Sequence, residues 1–184
     1  MDLITSQTLG SNASSLDFTG IPGTYTHLIL RGQIRGTYAG TGIEFAMRMG
    51  AGSYDSGNNY EWAHEHNSGG QVTATDSSAH IGRYSVPGST ASAGMAEIEV
   101  VVTNYTSTST SAKMIYSRVI FGSVIGGAVC RWNNASTVTQ IRFLDRIGSD
   151  LASGSNFSVY GTTALPFTAD NLAGNSVFSG SLLL

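Results

Sequence analysis

Residues 43–49 read IEFAMRM, and the alternation in those letters decides the class of fold. Ile43, Phe45, Met47 and Met49 take one side of an extended chain, and Glu44, Ala46 and Arg48 take the other, because successive strand side chains point to opposite faces. The spacing predicts a half-buried strand with the first set inward.

The same period recurs on both sides of this segment. In THLILRGQIR (26–35) Leu28 and Leu30 oppose His27, Ile29 and Arg31. In EIEVVVTNY (97–105) Ile98, Val100 and Val102 oppose Glu97, Glu99 and Val101. KMIYSRVIFG (113–122) follows, then VTQIRFLD (138–145) with Ile141 and Phe143 inward, and a last strand covers 156–160 inside GSNFSVYG. Weaker strand candidates lie near 2–8, 14–18, 79–85 and 127–132. Turns rich in glycine, serine and asparagine join them, and no window carries an apolar helical stripe over three turns. Roughly eight to ten antiparallel strands without helices predict an all-β sandwich, and the long connections favour a jelly roll over a meander. No repeat of propeller or solenoid length is present.

The chain has 184 residues, only 11% of them charged, with 12 acidic against 9 basic residues and a net charge of −3. That balance excludes a broad nucleic-acid footprint. Serine, threonine, asparagine and glycine supply the polar surface, a composition common in β-rich assemblies whose outside is covered by a neighbour. A single cysteine, Cys130 in GGAVCRW, excludes an intrachain disulfide or a thiolate metal cluster and reads as a small core residue. The longest apolar runs fall far short of a membrane span, and no leader pattern opens the chain. A soluble single domain, with no membrane partner, is the expectation.

Candidate sites each have a plainer explanation beside them. YDSGNNY (54–60) places Asp55, Ser56, Asn58 and Asn59 around Gly57, in part like a calcium loop, but an asparagine-glycine turn between strands explains the same residues. His64 and His66 in WAHEHN would share a face of a strand and could join His80 around a divalent metal. Exposed loop histidines are the preferred reading, so no metal and no cofactor is expected. No Gly-x-Ser-x-Gly elbow, phosphate-cradling loop or convergent carboxylate pair is present, and no enzyme is expected. Tyr54, Tyr60, Trp62 and Tyr84 cluster in the glycine-rich middle. On exposed loops such rings stack on sugars or anchor a protein, which makes Tyr54, Tyr60, Trp62, His64 and His66 a candidate recognition loop; the alternatives are core and subunit interface.

LDFTGIPGTYTHLILRGQIRGT (16–37) and VTQIRFLDRIGSDLASGSNFSVYG (138–161) resemble the two ends of a family of small structural proteins of tailed-phage virions, found in phages of aquatic hosts. The matching residues are Phe18, Ile21, Pro22, Tyr25 and Leu28 in front. Behind they are Val138, Ile141, Leu151, Gly154, Ser155, Phe157, Val159, Tyr160 and Gly161. EIEVVVTNYTST (97–108) is similar to the family's middle strand with its Asn-Tyr ending. The resemblance implies a jelly-roll domain that assembles as homotrimers on the particle surface, most often the head. It implies a capsid decoration or cement protein whose partner is the major capsid protein or another virion protein. The alternative within the family is a head-fibre or tail module that recognises a host-surface glycan.

Three parts are expected: an N-terminal arm (1–13), the sandwich (14–161) and a C-terminal interaction tail (162–184). The tail carries Phe167, Leu172, Val177, Phe178, Leu182, Leu183 and Leu184, too apolar for a solvated end, and is expected to dock on a neighbouring subunit or the capsid.

Overall fold

A computed structural model describes residues 1–65, 71–91 and 94–164. Among them are twelve strands and no helix: β1 (Asp2–Thr8), β2 (Ser15–Thr19), β3 (His27–Ile34), β4 (Gly42–Gly50), β5 (Tyr60–Glu65), β6 (Gln71–Asp76), β7 (Ala79–Pro87), β8 (Ala96–Val102), β9 (Lys113–Phe121), β10 (Val124–Trp132), β11 (Gln140–Asp145) and β12 (Asn156–Thr162). They form two antiparallel sheets, one of eight strands in the order β1-β12-β3-β8-β9-β10-β5-β6 and one of four in the order β2-β11-β4-β7. The chain is an all-β sandwich.

The inward sets of the alternating segments meet between the sheets. Phe143 of β11 stacks on Phe157 of β12 with ring centroids 4.3 Å apart and on Phe45 of β4 at 5.3 Å, while Phe18 of β2 meets it edge-on at 6.4 Å. Leu28, Leu30, Val100, Ile115 and Val159 from the wide sheet face them, all fully buried. Cys130 joins this core, as its apolar surroundings predict, and burial pushes its thiol pKa well above the usual range.

β7 is the outer strand of the narrow sheet beside β4, and two register shifts against β4 bulge it. Two of its carbonyls are capped by the wide sheet. Ser117 Oγ of β9 donates to Ile81 O at 2.7 Å, and the Cys130 thiol of β10 donates to His80 O at 3.3 Å. Side chains of the wide sheet thus cap a strand edge that would otherwise invite pairing with another chain.

Three expectations need correction. Twelve strands replace eight to ten, chiefly because β5 and β6 form a hairpin where loops were expected. The arm expected at 1–13 is part of the wide sheet: the strand candidate at 2–8 is β1, hydrogen-bonded along β12 with a bulge between Leu3 and Thr5. β2 lies beside β11 and β3 between β12 and β8. Glu44 and Ala46, on the outward side of β4, are buried, because Arg146 folds over them and ion-pairs with Glu44 at 2.8 Å.

Candidate functional site

The segments that carry the resemblance come together around one side chain. Tyr105, the Tyr of the Asn-Tyr ending after β8, is fully buried, and its preceding residue Asn104 adopts a left-handed φ of 49°. The Tyr105 hydroxyl donates to Pro22 O and accepts from Tyr25 N at 3.4 Å. Its carbonyl accepts from Val138 N at 2.9 Å, and Ile21 N donates to Thr139 O at 3.0 Å. Tyr25 lies flat over Gly161 so closely that a Cβ there would sit 2.1 Å from the ring, which explains the glycine that ends the late motif. Ile141 pairs with Phe18, and Gly161 with Leu28. The front, middle and back motifs therefore build one corner of the scaffold.

The 54–60 loop is riveted by Asp55. Its carboxylate accepts from Gly57 N at 2.9 Å, Asn59 Nδ2 at 2.9 and 3.1 Å, Trp132 Nε1 at 2.8 Å and Asn134 Nδ2 at 2.9 Å. Burial alone would raise its pKa, but these hydrogen bonds outweigh burial and hold it below the usual carboxylate range. An aspartate saturated by neutral donors is the anchor of a turn rather than the start of a calcium loop. Beside it opens a polar cleft of 320 Å³ lined by Ser53, Tyr54, Asp55, Ser56, Asn134 and Ser136.

The recognition-loop residues do not form an exposed platform. Tyr60 is fully buried on β5, stacked on Trp132 at 6.2 Å, with its hydroxyl accepting from Met49 N at 2.8 Å. Trp62 and His64 are also buried on β5, and Tyr54 lies under the guanidinium of Arg142 at 4.2 Å. His66, Phe167, Leu172, Val177, Phe178, Leu182, Leu183 and Leu184 lie outside the described residues.

His64, expected in an exposed loop, is instead a buried strand residue, and His80, in the strand candidate at 79–85, is buried as well. His80 stacks on Trp62 with centroids 4.0 Å apart, and neither ring nitrogen has a hydrogen-bond partner. Its Nε2 lies 3.5 Å from the Asp76 carboxylate, which Arg146 engages at 2.6 Å. Burial first, then Arg146, pushes its pKa down to about 4, so the imidazole is neutral at pH 7. Among the described residues no cluster of three metal-ligating side chains forms.

The outward side of the wide sheet carries a surface that the candidate residues did not include. Register places Leu3, Tyr160, Ile29, Val101, Tyr116, Val129 and Ala63 side by side across seven strands. The neighbouring row is Ser158, Arg31, Glu99 and Arg118, and the next holds Gln33, Glu97, Ile120 and Ile125. Leu3, Ile120, Ile125 and Val129 are exposed, four of the seven large hydrophobics exposed among the described residues. The signal was present in the sequence: Ile29 and Val101 sit on the otherwise polar side of their alternating segments.

Comparison of the chain with protein-family models, with curated proteins and with solved structures finds no match.

Proposed function

We propose that the chain is a non-enzymatic structural protein of a tailed-phage virion, a homotrimeric decoration protein that cements the head. The observation that carries the reading is the corner at Tyr105, where the three family-like segments pack on one another although 100 residues (38–137) separate the first from the last. The strand order adds support. β1-β12-β3-β8 facing β2-β11-β4-β7 is the nested order of a jelly roll, with the hairpins β5–β6 and β9–β10 as additions. Architecture of this kind serves many functions, so the virion role rests on the motifs and not on the order.

Attachment is assigned to residues 165–184, on their apolar sequence and their position after the last strand. Among the described residues the glycan-recognition alternative acts through the polar cleft at Tyr54, Asp55 and Asn134, because Tyr60, Trp62 and His64 are buried.

Immunogold labelling of intact particles, with copy number from quantitative mass spectrometry, tests the reading. Many copies over the head support cementing, and a few copies at the tail favour recognition. Absence from the particle overturns both. A version ending at Ala164 should stay folded and lose the head.

A further inference from the structure

We propose that the outward side of the eight-stranded sheet is a self-association surface, on which a second copy of this chain packs across a two-fold axis. Exposed apolar side chains gathered on one face mark an interaction surface rather than ordinary surface scatter. Here exposed Val129, Ile120 and Ile125 stand together on the β9–β10 hairpin and exposed Leu3 at the far edge, with half-buried Tyr116 and Tyr160 and buried Val101 and Ile29 filling the row between them. The end of the hairpin is stiff: Gly122 takes φ 56° at the first position of a two-residue turn, the geometry that matches strand twist.

Size fits the occupant. Six strands, β1 to β10 in sheet order, spaced about 4.8 Å apart and about seven residues long, give a face on the order of 700 Å². A standard interface buries about 800 Å² per partner. Sheets also stack face to face at close spacing, as the two in this molecule already do.

Charge decides for a second copy over an unrelated partner. The described side chains of the flanking rows are Arg31, Arg118 and Arg131 against Glu61, Glu97 and Glu99, three of each sign, so they leave no net charge to attract an acidic or basic molecule. Arg31 and Glu99 pair with each other at 2.6 Å. Arg118 and Glu97 make no hydrogen bond or ion pair among the described residues. A two-fold contact satisfies both, since Arg118 of each copy meets Glu97 of the other, twice per dimer. A shallow groove of 470 Å³ lined by Arg31, Gln33, Glu97, Arg118 and Tyr160 gives these side chains room to cross.

The inference stands apart from the virion reading, which is decided by location and not by mass. Light scattering on the full chain, coupled to size exclusion, tests it. The expected mass is two chains, or six where the proposed three-fold ring also forms. Val129→Glu and Arg118→Glu should each halve that mass, and Arg118→Glu combined with Glu97→Arg should restore it. Ile147→Glu, an exposed apolar position away from this face, should leave it unchanged. Circular dichroism checks that each variant is folded, and the restored double variant excludes simple misfolding. A wild-type mass of one or three chains overturns the proposal. So does a mass that neither Val129→Glu nor Arg118→Glu alters.

Discussion

On the outward side of the narrow sheet, Arg142 grips Asp17 through two hydrogen bonds of 2.8 and 2.5 Å, and Arg146 bridges Glu44 and Asp76 at 2.8 and 2.6 Å. Arg48 adds a bond to Ser77 O at 3.1 Å. On the outward side of the wide sheet, a row of isoleucine, valine, leucine and tyrosine crosses the strands, and Arg118 and Glu97 beside it have no ion-pair partner among the described residues. The chain has few charges, and it spends them unevenly. Three of its nine basic residues close the narrow face within the molecule. The wide face keeps apolar area and opposite charges that water solvates and that the proposed second copy would cover. One face is finished by folding, and the other is left for the proposed association.

The comparison presumes that both faces rest on one core. Phe143→Ala breaks it most severely, since this ring touches Phe45, Phe18 and Phe157 across both sheets. The loss should be about 4 kcal/mol, read as a lower midpoint of a single urea transition. Two separate transitions would mean that the faces belong to independently folding units.

Acid probes the layer beneath the narrow face. His80 is buried and neutral, with Asp76, Glu44 and Arg146 the charged groups nearest to it. In the unfolded chain it binds a proton near pH 6.5, and in the folded chain only near 4. Between those values the unfolded state holds more protons, so stability falls as pH falls from 6.5 towards 4, by about 3 kcal/mol in all. His27, lowered by burial in the same direction, adds to the slope. Thermal melts across this window should show the decline, and His80→Gln should flatten most of it. An unchanged slope in His80→Gln would place the proton uptake elsewhere.

Arg146→Ala opens the narrow face directly. It leaves the Glu44 side chain, 6% exposed, and Asp76 without the guanidinium that spans them. Breaking a fully buried pair costs about 3–5 kcal/mol. Arg146 is itself 40% exposed, so about 2 kcal/mol is expected here. Chemical denaturation of the variant measures it, and a loss below about 0.5 kcal/mol would mean that the face is not held by its ion pairs.

These contrasts were partly legible beforehand. Alternation at 43–49, 97–102, 140–145 and 156–160 named the strands that form the centre of the sandwich, because burial of one face writes period two into the sequence. β5 carries that period as well, with Tyr60, Trp62 and His64 inward, but a histidine in the buried set disguised it, and the burial was visible only once Trp62 stacked on His80. β1 showed only weakly, as the candidate at 2–8, because it buries almost nothing and is held by backbone bonds to β12. The late glycine at 161 gave no reason for itself in the sequence; its cause is the Tyr25 ring that lies over it from just before β3. The open face left its mark as Ile29 and Val101 among polar neighbours, yet only the register lines them up with Tyr116, Val129 and Tyr160.

The smallest effect sharpens the comparison furthest. Arg31 and Glu99 form the wide face's own ion pair at 2.6 Å, shorter than the 2.8 Å between Arg146 and Glu44. Judged by distance, the two pairs should matter equally. Their surroundings differ: the Arg31 and Glu99 side chains are 55% and 40% exposed, so water already solvates both charges and screens their attraction. Glu99→Gln should therefore change the stability of the isolated chain by less than about 0.5 kcal/mol. At concentrations where copies associate, the same substitution removes one negative charge from each side of the contact and leaves Arg31 and Arg118 in excess. A variant that unfolds like the wild type when dilute, and dissociates more readily when concentrated, would place the role of this pair in association. Equal destabilisation of the dilute chain by Glu99→Gln and Arg146→Ala would erase the distinction between the two faces.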